Sequence, residues 1–439
     1  MALAKTTIGS VLAPGCRAAD LIGTQAVLGI DPLRHATHWL AESDAPVRAA
    51  PNMRFVPNLR FDDCPKLDVL VVPELDEASL ADAVLLAFLA RVAAEATQVI
   101  AVSNGVLALA KAGLLEGRKV TADRKTLPRL RELGVEAVET SGVVRDGRWF
   151  TAGPSTGAIE AAYTLLQERR GNFLAKLAEL NLEYAPQARF DDPALVATAP
   201  PADSRPLEVV TLAASGMYLP DVSGALDVLG VLPEANIRVA WKKTKPIRCA
   251  LGPTIVPDTR FDDCPQADVL VLGFNLPKLS ADPEVLEFLR RQSASARVVI
   301  CVCAGSLLMG AAGLLEGERA TSNFHMTSLL GSCGVEASRE HLVRSGKYYS
   351  AGPAIGSYET ALLALEELHG PEVAAYVERE VLEYSPNPPF GVGSPEQAGP
   401  WLTLLSRALS APLLPAYWWT ARKGFRAQPG PGASAGVRA

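Results

Sequence analysis

Cys303 lies in Cys301-Val302-Cys303-Ala304-Gly305-Ser306, where an unbroken apolar run stops and a helical pattern starts. A side chain on so sharp a strand-to-helix turn stands exposed above a sheet, and small neighbours make the turn possible. A thiol there faces the positive end of the helix dipole, which favours thiolate. The first backbone N–H groups of that helix can also hold a developing oxyanion. The plain alternative is a small buried cysteine, the usual state of a free thiol. Asp221, in Pro220-Asp221-Val222-Ser223-Gly224, opens a helix just after an earlier strand. It is either an N-terminal cap or, close to the thiol, a carboxyl of raised pKa that shuttles a proton. His325, after Thr321-Ser322-Asn323-Phe324, reads as a solvated or capping residue, with a place at the same sheet edge as the alternative. Cys301 reads as core, Cys64 and Cys264 as packing residues before prolines, His35 and His38 as structural, and His341 and His369 as surface residues.

These side chains need a scaffold, and the apolar patterning supplies one. Residues 207–213, 237–241, 268–272 and 298–302 read as strands, and residues 222–232, 283–292 and 305–315 as helices. The runs at 268–272 and 298–302 are apolar on both faces, which belongs to parallel sheets covered by helices. Strand–helix alternation predicts a doubly wound α/β domain. Such a sheet binds ligands beyond the carboxyl ends of its strands, where Cys303 and Asp221 fall.

The chain contains this unit twice. Arg60-Phe61-Asp62-Asp63-Cys64-Pro65 recurs as Arg260-Phe261-Asp262-Asp263-Cys264-Pro265, and Ala112-Gly113-Leu114-Leu115-Glu116-Gly117 as Ala312-Gly313-Leu314-Leu315-Glu316-Gly317. Leu182-Glu183-Tyr184 recurs as Leu382-Glu383-Tyr384. A period this long makes each copy a whole domain. The expected organisation is a first domain over 1–198, a proline-rich seam, a second domain over 207–397 and a C-terminal tail over 398–439 whose end, from Gln428, is disordered. The first copy has Asp20 where the second has Asp221, and Ser103 where the second has Cys303, with no base evident beside the serine. Serine needs such a base to act as a nucleophile, so one active centre is expected, in the second copy.

Composition narrows the function classes. With 439 residues, 49% hydrophobic and a net charge of −6, the chain is globular and offers no broad phosphate-binding surface. Nucleic acid is therefore not an expected partner. No run approaches the ~20 apolar residues of a membrane span, so no membrane partner is expected either. Seven cysteines at scattered spacings fit a reducing, cytoplasmic setting. The run before Cys16 is too short for a signal peptide. No metal set and no phosphate-cradling or dinucleotide motif is present.

In both copies the sequence resembles the ThiJ/PfpI superfamily, and most of all its isocyanide (isonitrile) hydratase branch. The residues that carry the likeness lie in the second copy. They are Asp221-Val222-Ser223-Gly224 with Asp227-Val228-Leu229, Trp241-Lys242, Thr259-Arg260-Phe261 with Asp263-Cys264-Pro265, the stretch from Cys303 to Gly317, Arg319-Ala320-Thr321, and Leu382-Glu383-Tyr384 with Pro388-Pro389-Phe390 and Gly393-Ser394-Pro395. The likeness implies two tandem flavodoxin-like domains forming a pseudo-dimer, because relatives commonly pair as homodimers. It implies Cys303 as the nucleophile and Asp221 as the proton-shuttling acid of a cofactor-independent hydro-lyase that converts an isocyanide to an N-substituted formamide. Departures fall in the pocket wall. Ala304 replaces a hydroxyl residue, Gly273-Phe274-Asn275 replaces a Pro-Gly-Gly turn, and Asn323 replaces a histidine, with His325 two positions on. These five residues and His325 are the expected substrate and oxyanion pocket. The alternatives are a glyoxalase-like, hydrolytic, isomerising or cyclising enzyme of specialised metabolism on the same fold, and a non-catalytic ligand-binding protein.

Overall fold

The computed structural model describes residues 5–30, 35–201 and 205–428. The predicted disorder beyond Gln428 falls outside these residues, as does the middle of the proline-rich seam.

Each repeat folds around a seven-stranded sheet. In the second repeat the order is Thr259–Arg260, Ala235–Trp241, Leu207–Leu212, Val269–Leu272, Val298–Val302, Tyr348–Ala351 and Leu342–Ser345. Every neighbouring pair is parallel except the final hairpin. The first repeat repeats this order, from Leu59–Arg60 through Thr6–Val11 to Val144–Asp146. The central strands are buried along their whole length, which is why they read as unbroken apolar runs. Chain direction across the sheet reverses between Leu207–Leu212 and Val269–Leu272, and the crevice at that switch is where such folds place ligands. The helices start or end a few residues from expectation: Pro220–Leu229, Pro283–Ser295 and Gly305–Ala311.

The repeats are joined by polar contacts that come in reciprocal pairs. Glu160 accepts the N–H of Asn387 (2.6 Å), and Glu359 accepts that of Gln187 (2.7 Å). Glu179 accepts from Phe390 and Val392 (3.0 and 2.7 Å), while Glu378 accepts from Phe190 (2.8 Å). Glu183 accepts from Phe324 and Glu383 from Arg124, both at 2.9 Å. Matching partners separated by one period describe a pseudo-twofold relation, as in a symmetric dimer. A small antiparallel sheet crosses the same boundary, with Phe55 opposite Ile255. Arg17 forks onto Asp227 of the other repeat with two 2.8 Å bonds, both side chains buried.

The tail is not a loose extension. Pro395–Ser410 and Leu414–Arg426 are helical, the first with a break at Gly399. Ser406 of the first helix donates to Asn181 of repeat one and meets His325 of repeat two at 3.2 Å.

Burial raises the carboxyls of the interface. Glu160 is pushed up to about 7 and Glu183 to about 8, and Glu179, Glu378 and Glu383 also rise. Acids raised on folding bind protons that the unfolded chain has released, so their stabilisation is complete below about 4.5 and lost as pH rises through 7 to 8. The expected result is a lower thermal midpoint at pH 8.5 than at pH 5.5, with a shallower dependence in Glu183→Gln. A midpoint that does not change over this range would contradict the coupling.

Candidate active site

The site in the second repeat starts with strain. Cys303 has φ 57°, a left-handed value that a residue with a Cβ rarely adopts. The turn is held on both sides. Cys303 N–H donates to the Ala351 carbonyl (2.9 Å), and Ser322 Oγ donates to the Cys303 carbonyl (2.6 Å). Its Sγ therefore points off the sheet edge, where Asn323 Nδ2 donates to it at 3.0 Å.

Asp221 is fully buried at the switch crevice. Its two oxygens accept the peptide N–H groups of Phe274 and Ala354, both at 2.9 Å, and the carboxyl is within hydrogen-bonding reach of the Cys303 thiol. Gly273 has to be glycine here, because a Cβ on it would lie 2.6 Å from that of Asp221. Burial raises Asp221 to about 6, while the two peptide donors and the thiol hold it down. Glu183 enters from the first repeat and lies against Gly352, whose missing side chain leaves room for the carboxyl.

The setting works against the expected thiolate. Burial, then the charge of Asp221, push the Cys303 thiol well up, and the Asn323 donor opposes them only in part. The elbow helix Gly305–Ala311 has only two turns, and its dipole does not offset a desolvated neighbouring carboxylate. The thiol is therefore pushed up by the same buried carboxyl that it helps to hold down.

The structure brings Cys303, Asp221, Ala304, Gly273, Phe274 and Asn323 together. The Phe274 N–H is taken up by Asp221. Asn275 folds its Nδ2 back onto the Gly273 carbonyl at 3.0 Å. His325 is neither solvated nor a cap. Its ring lies tilted against that of Phe324 and meets Ser406 of the tail, and burial lowers it to about 4. Three contributors were missed from sequence. Tyr218 and Tyr417 flank Phe274 at centroid distances of 6.4 and 5.7 Å, and Tyr417 Oη donates to the Asn275 carbonyl at 2.7 Å. Tyr417 comes from the tail, where no local pattern marks it. Glu183 had a signal, the recurrent Leu-Glu-Tyr, which also places Glu183 and Glu383 at positive φ.

The first repeat has the same geometry with different chemistry. Ser103 has φ 51°, and Asp20 accepts the Glu74 N–H at 2.9 Å. Ser103 Oγ donates to Asp123 at 2.9 Å, so the serine does have a carboxylate partner, contrary to the sequence reading. Arg17, Glu74, Asp123, Arg124 and Lys125 stand where the second repeat has Tyr218, Phe274, Asn323, Phe324 and His325. Arg17, Glu74, Ser103, Asp123, Lys125 and Arg129 are among the residues lining a polar cavity of about 360 Å³. Among the described residues no group of three His, Cys, Asp or Glu side chains is placed to hold a metal ion.

Fold and site together define a two-domain chain with a cysteine elbow and a buried acid in one domain. The DJ-1/PfpI family model matches residues 8–168 and 208–367, and the chain belongs to that family. It is 38% identical over 196 residues to an isonitrile hydratase of Pseudomonas putida, covering 44% of this chain and 86% of that protein. It is 30% identical over 178 residues to a glutathione-independent glyoxalase of Caenorhabditis elegans, covering 39% and 87%. A ThiJ/PfpI family structure from Pseudomonas syringae matches with a TM-score of 0.48 at 26% identity, over 53% of this chain and 99% of that one.

Because burial and the Asp221 charge push the thiol up, iodoacetamide should label Cys303 slowly at pH 7 and faster as pH rises. Asp221→Asn removes the adjacent charge and should speed labelling several-fold at pH 7, followed by peptide mass spectrometry. Fast labelling in the parent, unchanged in Asp221→Asn, would show that the carboxylate does not control the thiol.

Proposed function

We propose that the chain is a cofactor-independent hydro-lyase that adds water to an isocyanide through Cys303 and Asp221. The observation that carries this reading is the strained Cys303 elbow, with Asn323 donating to its sulfur at 3.0 Å, beside the buried Asp221 carboxyl that two peptide N–H groups hold at 2.9 Å. Near neutral pH Asp221 is mostly ionised and can take the thiol proton as sulfur attacks, so charge separation is brief. Sulfur bonds to the terminal isocyanide carbon, and Asp221 returns the proton to that carbon, giving a thioimidate. Water then adds to the same carbon as Asp221 takes its proton and passes it to nitrogen, and the hydroxyl proton goes to sulfur in the next step. Cleavage of the C–S bond regenerates the thiol and releases the N-substituted formamide. Asn323, bonded to sulfur, steadies the nucleophile. The aromatic wall of Tyr218, Phe274 and Tyr417 suits an apolar substituent on the substrate.

The 38% identity to an isonitrile hydratase supports this reading. The glyoxalase relative supports a second, in which the same thiol and acid isomerise a 2-oxoaldehyde. The aromatic wall favours the first, since small hydrated oxoaldehydes gain little from it.

The test is turnover of an alkyl or aryl isocyanide beside methylglyoxal. Cys303→Ala is expected to abolish formamide formation, and Asp221→Asn to lower kcat by about 10²–10⁴-fold, the range of general acid–base catalysis. Ser103→Ala is expected to stay within twofold of the parent, on the order of the smallest effects mutant kinetics resolve. Activity should fall as pH drops through about 6, where Asp221 gains its proton. Turnover of methylglyoxal with none of isocyanide would select the second reading, and turnover of neither would refute both.

A further inference from the structure

The first tail helix is built inside out. Water-facing helices bury an apolar stripe and expose polar residues. In Pro395–Ser410 the buried side chains are Thr403 and Ser406, whereas Trp401, Leu404, Leu405, Ala408 and Leu409 point outward. Those five occupy i, i+3, i+4, i+7 and i+8, a complete apolar stripe turned toward solvent. Trp401 is 83% exposed, and Leu404 and Leu409 are 59% and 60% exposed.

The second tail helix adds to it. Its inward side is already committed. Tyr417, Ala421 and Gly424 are buried, and Gly424 packs so closely on the Ser280 carbonyl that no Cβ fits. Trp418 and Trp419 face outward beside Leu413. Arg422 lies over the Trp418 ring at 5.0 Å, and Lys423 over Trp419 at 5.4 Å. Residues 397–428 contain four basic side chains (Arg407, Arg422, Lys423 and Arg426) and no acidic one, in a chain of net charge −6.

We infer that these two helices form a membrane-surface anchor that binds an anionic lipid bilayer. An apolar stripe, clustered tryptophans and an excess of cations over carboxylates are the features of a helix that lies in the headgroup layer. The charge selects anionic lipid over a generic apolar partner. Cations stacked on the tryptophans can reach phosphate while the rings enter the acyl boundary. Among the described residues no helix is long and apolar enough to cross a membrane, and none is needed for this mode. The sequence expectation of no membrane partner rested on spanning length alone.

The test is co-sedimentation of the full chain with vesicles of phosphatidylcholine, alone or mixed with phosphatidylglycerol. Binding is expected to the mixed vesicles only, with a blue shift of tryptophan emission and release by added salt. Leu404→Gln/Leu409→Gln and, separately, Arg422→Gln/Lys423→Gln should each weaken partition roughly tenfold, with circular dichroism unchanged. All four positions are at least partly exposed, and the charge variant leaves the apolar stripe intact. Failure of the parent to bind mixed vesicles would overturn the inference. So would a self-associated state, dissolved by the leucine variant, in protein that does not bind vesicles; the face would then belong to a second copy. Neither result depends on the catalytic reading.

Discussion

Peptide N–H groups left at the boundary between the two repeats have to be bonded, and here glutamate carboxyl groups from the opposite repeat bond them. Glu160, Glu179 and Glu183 do so in one direction, and Glu359, Glu378 and Glu383 in the other. An unmet buried donor or acceptor costs more than a made hydrogen bond returns, so these contacts fix how the repeats sit. Glu183 is the member that reaches the thiol pocket. The alignment of the domains and the electrostatics at Cys303 thus share a cause, and Asp221 lies in a crevice closed by the same arrangement.

Within that frame the two sites diverged by side chain and not by backbone. The strained elbow, the acid at the switch point and the peptide donor to it occur in both repeats. In the second repeat the surroundings are thiol, amide and aromatic rings. In the first they are hydroxyl, carboxylate and guanidinium. Cys303 faces a weakly polar wall, whereas Ser103 sits among charges that pair with one another: Arg17 with Asp227 and Glu74, and Arg129 with Glu77.

Much of this was legible in the sequence because its causes are local or periodic. Unbroken apolar runs such as Val298–Val302 mark buried parallel strands, and a doubled Leu-Glu-Tyr marks a doubled fold. The Cys303 elbow shows in its small residues. What failed to show depends on contacts distant in sequence. The Cys303 thiol is pushed up by burial and then by Asp221, 82 positions away, and neither shows in the local pattern that suggested a helix-dipole effect. The carboxylate beside Ser103 comes from Asp123. His325 looks solvated until the tail helix covers it, and Tyr417 belongs to a segment that composition alone described as an appendage.

Glu183 crosses to the Cys303 pocket within one polypeptide. In a homodimer the equivalent contact obeys mass action, and dilution below the dissociation constant opens every site. A covalent link replaces that bimolecular step with an effective local concentration set by the chain, independent of how much protein is present. This pocket therefore stays whole in a cell that holds only a few copies.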